Sequence, residues 1–251
     1  MKKLIALLLV LVTVLSFAAC GKEPAKNDGT TPSDTTGTTA SDATTGKTDD
    51  SVMNYEAYNA AAMDSKVTVE TYVQATQSWW DNKITAYCQS KDGAYFAYEL
   101  ACTEEDAAKL VPGTKIKITG TKGEWSGEIE IMDGTFEIVE GGDTFIAEAL
   151  DVTDLLAKDE LIDHQNKKVA FKDMKVKKIE YKNGEPGDDI YVTLDKDGAE
   201  YSFCVEIYLT GKDTDVYKTV GELKAGDVVD VEGFLYWYEG ANPHITAITK
   251  K

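Results

Sequence analysis

Aromatic side chains beside acids and amides are the residues of this chain best suited to recognise a ligand. They occur in three short segments, Trp79-Trp80-Asp81-Asn82, Glu124-Trp125 and Tyr236-Trp237-Tyr238. A flat indole can stack on a nucleobase or on the apolar face of a sugar, and carboxylates and amides can hydrogen-bond to hydroxyl groups. We therefore take these residues as the candidate ligand-binding residues.

A structural role is the alternative for the same aromatic residues. Trp and Tyr often close the end of a small barrel or pack one domain on the next. Neighbouring residues of an extended chain point to opposite faces, so one of Trp79 and Trp80 is expected to belong to the core. The sequence leaves open which of the two it is.

The segments that carry these aromatic residues belong to a unit that the chain uses twice. Residues 110–131 (LVPGTKIKITGTKGEWSGEIEI) return as residues 223–245 (LKAGDVVDVEGFLYWYEGANPHI), and Gly120 matches Gly233. Residues 115–119 (KIKIT) alternate apolar and polar side chains, which is typical of a half-buried strand. A glycine after such a strand indicates a sharp bend or a bulge. Each copy is predicted to form a bent strand, an aromatic loop and a second strand.

Further elements repeat before this unit. A strand opens with Lys-Val at Lys66 and again at Lys168, and each is followed by a hairpin around Asp-Gly, at residues 92–93 and 197–198. Asp-Gly between alternating apolar runs is typical of a two-residue hairpin turn. Helices are predicted at residues 54–62 and 151–164, one before each copy, and at residues 104–110, between the hairpin and the bent strand of the first copy. The corresponding segment of the second copy is predicted to be looser.

Strand, hairpin, short helix and strand pair is the order of the OB-fold, a five-stranded, partly open barrel. We predict a mainly β chain with two tandem five-stranded OB-fold-like barrels, each preceded by a short helix. The first domain is expected at residues 53–148 and the second at residues 149–251. A pair of small antiparallel β-sandwiches is the alternative. In OB-folds, the loops that carry these aromatic residues flank the binding face.

The first residues have the composition of a targeting segment. Lys2 and Lys3 precede an apolar run over residues 4–19, which is short for a membrane span and suits a cleaved signal peptide. The small residues before Cys20 resemble the lipobox of bacterial lipoproteins, although Phe17 stands where that family usually has Leu, Val or Ile. The resemblance implies a signal peptide over residues 1–20, a lipid on Cys20 and an extracytoplasmic protein anchored to the membrane. Ordinary secretion with cleavage elsewhere is the alternative.

Residues 21–52 consist mainly of Thr, Ser, Asp, Gly, Lys and Pro, and are expected to form a disordered linker. Together with the duplicated unit, these features resemble bacterial surface lipoproteins with tandem OB-fold-like domains. That resemblance rests on spacing and not on an invariant signature.

The net charge of the chain limits the class of ligand that it can bind. The chain has 26 basic and 44 acidic residues, a net charge of −18 at pH 7, and no arginine. A phosphate-binding surface normally needs a basic patch and favours Arg for bidentate contacts. We therefore expect a glycan, a cell-wall polymer or a peptide as ligand and consider nucleic acid an unlikely partner. Single-stranded nucleic acid and a protein-interaction scaffold without a small ligand are the alternatives.

No residue pattern indicates catalysis or a cofactor, and the chain is expected not to be an enzyme. His164 and His244 stand in dissimilar contexts and do not predict a zinc site. Residues 183–189 (NGEPGDD) gather oxygen ligands without the spacing of an EF-hand loop, which leaves calcium near Asp188 open. A disulfide framework is not indicated, because three cysteines remain besides Cys20: Cys88, Cys102 and Cys204.

Overall fold

Strands with alternating burial build two β-barrels in the computed structural model, which describes residues 51–251. The first barrel comprises α1 (Tyr55–Ala60), β1 (Lys66–Thr76), β2 (Lys83–Gln89), β3 (Ala94–Ala101), α2 (Glu104–Ala107), β4 (Lys115–Trp125) and β5 (Glu128–Ile138). Its strand order is β1-β2-β3-β5-β4, and pairing of β1 with β4 closes the ring. This is the strand arrangement of an OB-fold.

The second barrel repeats this order. It comprises β6 (Leu150–Asp151), two 3-10 helices (Thr153–Leu155 and Asp159–His164), β7 (Lys168–Tyr181), β8 (Ile190–Lys196), β9 (Ala199–Val205), α3 (Ile207–Thr210), α4 (Asp215–Glu222), β10 (Val228–Phe234) and β11 (His244–Lys250). β10 pairs with both β11 and β7, which joins five strands into a ring, and β6 lies beside β7. The prediction of two tandem five-stranded OB-fold-like barrels is confirmed.

Each barrel has its own apolar core, supplied by the inward side chains of its strands. Ile116 and Ile118 of β4 are fully buried in the first core, and Val169 and Phe171 of β7 lie in the second. Burial of large aliphatic and aromatic side chains is the main stabilising contribution to such barrels.

Gly120 is the bend predicted in the first copy. The pairing of β4 with β5 shifts between Thr119 and Thr121, which is a β-bulge. A Cβ at Gly120 would lie 2.7 Å from Ile131 Cγ2 and 2.8 Å from the carbonyl oxygen of Met132, so no larger residue fits without movement. The bulge curls β4 enough to pair with β1 on one side and β5 on the other.

Both predicted hairpins form, but the loop of the first is longer than a two-residue turn. Asp197 and Gly198 both have positive φ, 54° and 88°, and form the expected two-residue turn between Lys196 and Ala199. In the first hairpin the loop has four residues and is closed by a hydrogen bond from Ser90 N to Gly93 O (2.8 Å). Gln89 therefore pairs with Ala94, which differs from the pairing that a two-residue turn would give. Gly93 is needed for another reason, because the ring of Tyr55 packs where a Cβ would stand.

The predicted helix at residues 151–164 is wrong, since two 3-10 helices take its place. Asp151 accepts hydrogen bonds from the backbone and hydroxyl of Thr153, and Lys158 has extended backbone angles that separate the two turns. The segment that was predicted to be looser contains α3 and α4 instead. There Thr214 caps α4, whose residues Tyr217 and Val220 are buried in the second core.

The signal peptide, Cys20 and nearly all of the predicted linker lie outside the described residues. Within residues 51–251, no helix combines the length and the apolar composition needed to cross a bilayer. The predicted domain boundary between residues 148 and 149 stays a prediction, because the described residues form one compact unit.

Candidate ligand-binding groove

The second barrel packs on the outer face of the first through aromatic rings. Tyr87 of β2 stacks on Phe234 of β10, with ring centroids 4.3 Å apart and planes 7° from parallel, and its hydroxyl lies 3.0 Å from Nδ1 of His244. Tyr236 stacks on His244 at 4.4 Å and meets the edge of Phe96 at 5.4 Å. The structural alternative therefore holds for Tyr236, which helps to join the two barrels.

Beside this contact, the outer face of β2 and β3 remains open as a groove. Two adjoining cavities of about 500 Å³ and about 450 Å³ share Gln77 and Tyr98, so we treat them as one inter-barrel groove. The first cavity is lined by Trp80 and by Tyr208 of α3, and the second by Trp125. The groove thus contains the strand 2 to 3 face and the loops with which OB-folds bind ligands.

A tight turn places Trp80 on the surface. Asp81 and Asn82 have φ of 48° and 60°, and Trp80 and Lys83 exchange two backbone hydrogen bonds of 3.0 Å across them. Asp and Asn tolerate this left-handed conformation better than most residues. Trp80 is 80% exposed as a result, whereas Trp79 packs on the first core and donates from Nε1 to Cys102 O at 3.2 Å.

A second tight turn presents Trp125. Ser126 and Gly127 have φ of 50° and 93°, and Trp125 at the end of β4 pairs with Glu128 at the start of β5. Trp125 is 61% exposed and lines the groove. Glu124 is exposed at the preceding position and does not line it.

The remaining predicted residues lie elsewhere. Trp237 packs against the second core, and its backbone N donates to Glu128 Oε2 at 2.8 Å. Trp237 and Tyr238 line a separate cavity of about 660 Å³ on the second barrel, together with Tyr191. The structure therefore gathers Trp80, Asp81, Trp125 and Tyr236 in the groove, and separates from them Trp79, Asn82, Glu124, Trp237 and Tyr238.

The groove is acidic. Its charged side chains are Asp81, Lys83, Glu99, Glu130 and Glu206. Lys83, the one lysine that lines it in the described part of the chain, pairs with Glu99 at 2.7 Å, and this contact lowers the pKa of the Glu99 carboxyl. Glu206 accepts hydrogen bonds from the backbone N of Tyr208 and Leu209, at 3.1 and 2.8 Å.

Among the groove residues that were not predicted are two tyrosines and two acids: Tyr98, Tyr208, Glu130 and Glu206. Tyr98 had a signal in the sequence, because residues 94–101 (AYFAYELA) place apolar side chains on both faces of the strand, more than the core of one barrel requires. Tyr208 and Glu206 come from the second barrel. Ser78 N donates a hydrogen bond to Tyr208 O (2.7 Å), which holds this segment of the second barrel against the first. Because the two residues are far apart in sequence, no local pattern predicts this contact.

The acids of the turn near Asp188 form ion pairs and hydrogen bonds with neighbouring side chains. Lys182 Nζ lies 2.9 Å from Asp189 and 3.6 Å from Asp188, and Asn183 donates to Asp188 at 2.5 Å. Residues 51–251 contain no group of three or more His, Cys, Asp or Glu placed to hold a metal ion.

No protein-family model and no curated protein matches the chain. Similarity to solved structures is low. A murine DNA-binding protein bound to double-stranded DNA is 13% identical with a TM-score of 0.37, over 73% of this chain and 94% of that chain. The p204 HINb domain is 13% identical with a TM-score of 0.34, over 72% and 95%. A replication protein A heterotrimer bound to single-stranded DNA is 12% identical with a TM-score of 0.33, over 77% and 50%. At these scores the similarities indicate no ligand for this chain.

Proposed function

We propose that the chain is a non-catalytic binding protein that holds a glycan in the inter-barrel groove. The proposal is supported above all by the position of Trp80 and Trp125, two exposed indoles in adjoining cavities of one acidic groove. Indole faces stack on the apolar faces of sugar rings, and carboxylates accept hydrogen bonds from sugar hydroxyls. Because the groove is open and carries several such rings, it suits an extended ligand better than a small molecule that must be enclosed.

Single-stranded nucleic acid is the second candidate. It is favoured by the row of aromatic side chains on an OB-fold face, since bases stack on such rings. The charge of the groove opposes it, because a nucleic-acid strand also requires cations along its backbone and Lys83 is already paired with Glu99. Two of the three solved structures described above contain DNA, but their similarity is too low to bear on this choice.

We also propose that Cys20 carries the lipid that anchors the chain outside the cytoplasm. The proposal is supported by the apolar run and the small residues that precede Cys20 in the sequence. Replacing Cys20 with Ser is expected to release the chain from the membrane fraction of the producing cells. Unchanged membrane association of this variant would contradict the proposal.

The ligand is tested by calorimetric titration of the purified full chain with an N-acetylglucosamine tetramer and with an oligothymidylate. We expect saturable binding of the sugar, weakened about fivefold to 150-fold by Trp80→Ala and by Trp125→Ala, because stacking contributes about 1–3 kcal/mol per ring. Tyr191→Ala is the matched control, since Tyr191 is an exposed aromatic residue outside the groove.

Two results would contradict the glycan proposal. One is sugar binding that survives both tryptophan substitutions. The other is saturable binding of oligothymidylate that weakens steeply as the salt concentration rises, which is the behaviour of a phosphate-binding site.

A further inference from the structure

Glu130 is a largely buried acid whose carboxyl has no partner among residues 51–251. It lies on the outer face of β5, next to Phe96 of β3, and lines the cavity that contains Trp125. The residue is only 4% exposed, and no hydrogen bond or ion pair to its carboxyl is present within residues 51–251. Buried acids are normally paired or hydrogen-bonded, because a desolvated charge without a partner is strongly unfavourable. The Glu130 carboxyl therefore lines this cavity without a counter-ion from the described residues.

The walls of this cavity suit a cation. Aromatic side chains from both barrels line it, and their faces carry the negative end of the ring quadrupole. They are Phe96, Tyr98, Trp125 and Tyr236. Glu206 adds a second acid, and no lysine lines this cavity in the part of the chain that the structure describes. His244 contributes no charge at neutral pH, because burial lowers its pKa to about 4.

We propose that this cavity binds an ammonium group, with the Glu130 carboxylate as its counter-ion and the aromatic rings as its walls. The inference rests on the proposed glycan function and names the ligand class within it, a glycan that carries free amino groups. The N-acetylated form of the same sugar keeps the ring faces and loses the charge, so the two forms separate stacking from cation binding.

The test compares ligands in pairs of which one member is charged and the other neutral, titrated into the purified full chain at pH 7 in sodium phosphate buffer, which contains no competing amine. Choline is compared with its neutral isostere 3,3-dimethylbutanol, and a glucosamine tetramer with the N-acetylglucosamine tetramer. We expect the charged member of each pair to bind at least about tenfold more tightly. The preference is expected to disappear in Glu130→Gln, which keeps the shape of the side chain and removes its charge.

Glu137→Gln is the matched control. Glu137 lies on the same strand, is exposed and pairs with Lys117 at 3.0 Å outside the groove, so this variant should keep the full preference. Equal binding within each pair, or a preference that Glu130→Gln leaves intact, would overturn the ammonium site. A preference for choline without one for the glucosamine tetramer would contradict the proposal that the bound ammonium group belongs to a glycan. Loss of N-acetylglucosamine tetramer binding in Trp80→Ala tests the proposed function separately.

The pH dependence gives a second readout. Burial, reinforced by Glu99, raises the pKa of Glu130 to about 6. The other titratable groups around it are Tyr58, Tyr98, Glu99, Glu128, Glu206, Tyr236 and His244. Choline keeps its charge at every pH, so its affinity should fall about tenfold from pH 8 to pH 5 as Glu130 takes up a proton. An affinity that stays constant over this range would overturn the role of Glu130.

Discussion

Replacing Glu128 with Gln is expected to stabilise the protein at neutral pH, although Glu128 holds the two aromatic loops together. Its side chain is fully buried between the barrels, and its Oε2 accepts the hydrogen bond from Trp237 N. Asn166 lies beside this carboxyl, but within residues 51–251 neither Oε1 of Glu128 nor Oδ1 of Asn166, both buried, has a partner in hydrogen-bond geometry. A neutral carboxylic acid has a proton to donate at this position, whereas a carboxylate has none.

The size of the effect follows from the proton that the folded state retains. Burial raises the pKa of Glu128 from 4.5 to about 9. The proton is therefore bound in the folded state and released on unfolding between these values, so the free energy of unfolding falls as the pH rises from 4.5 to 9. At about 1.4 kcal/mol per pH unit, the loss at pH 7 is about 3 kcal/mol. Gln has no proton to lose, still accepts from Trp237 N and brings an N–H for Asn166.

Urea unfolding of the full chain at pH 5, 7 and 8.5 measures this difference. Glu128→Gln should differ from the parent chain by less than about 1 kcal/mol at pH 5, exceed it by about 3 kcal/mol at pH 7, and exceed it further at pH 8.5. Glu137→Gln, on the exposed side of the same strand, should show no such trend. A difference that is independent of pH, or a variant less stable than the parent chain at pH 7, would refute the reasoning.

Two further substitutions test the packing. Lys122 is buried and donates from Nζ to the carbonyl oxygens of Tyr58, Asn59 and Ala61 at 2.8–3.1 Å. Lys122→Met removes these hydrogen bonds and should lower the free energy of unfolding by about 2–3 kcal/mol. Lys158→Met, at an exposed position, is the control. Phe234→Ala should cost about 3–5 kcal/mol, because it removes the ring stacked on Tyr87. Urea unfolding checks both, and a loss below about 1 kcal/mol in either would contradict the packing described.

The architecture could be predicted from the sequence because it depends on local signals that occur twice. The alternation of residues 115–119, the bend at Gly120 and the Asp197-Gly198 turn each specify local backbone geometry. The two failures have different causes. Gly93 makes room for the ring of Tyr55, a tertiary contact that no local rule reveals, whereas Asp151 folds its own backbone into a 3-10 turn through a local hydrogen bond from Thr153.

The groove was predictable only in part. The sequence identified Trp80 and Trp125 because both lie in loops of the predicted barrel, but it left open whether Trp79 or Trp80 belongs to the core. It also grouped Trp237 and Tyr238 with them, although the second barrel directs these two to another cavity. Glu130 and Glu206 were missed, since their significance arises only when one barrel packs on the other. In the sequence, Glu130 is one of several acids on an alternating strand, and only its burial sets it apart.

The most direct test of the groove is iodide quenching of tryptophan fluorescence in the full chain, with and without saturating sugar tetramer. Trp80 and Trp125 are the exposed indoles of the described residues and should be the ones that iodide reaches. The account predicts that the N-acetylglucosamine and glucosamine tetramers shield both, and that oligothymidylate shields neither. Shielding by oligothymidylate that vanishes at high salt, with none by either sugar, would contradict it.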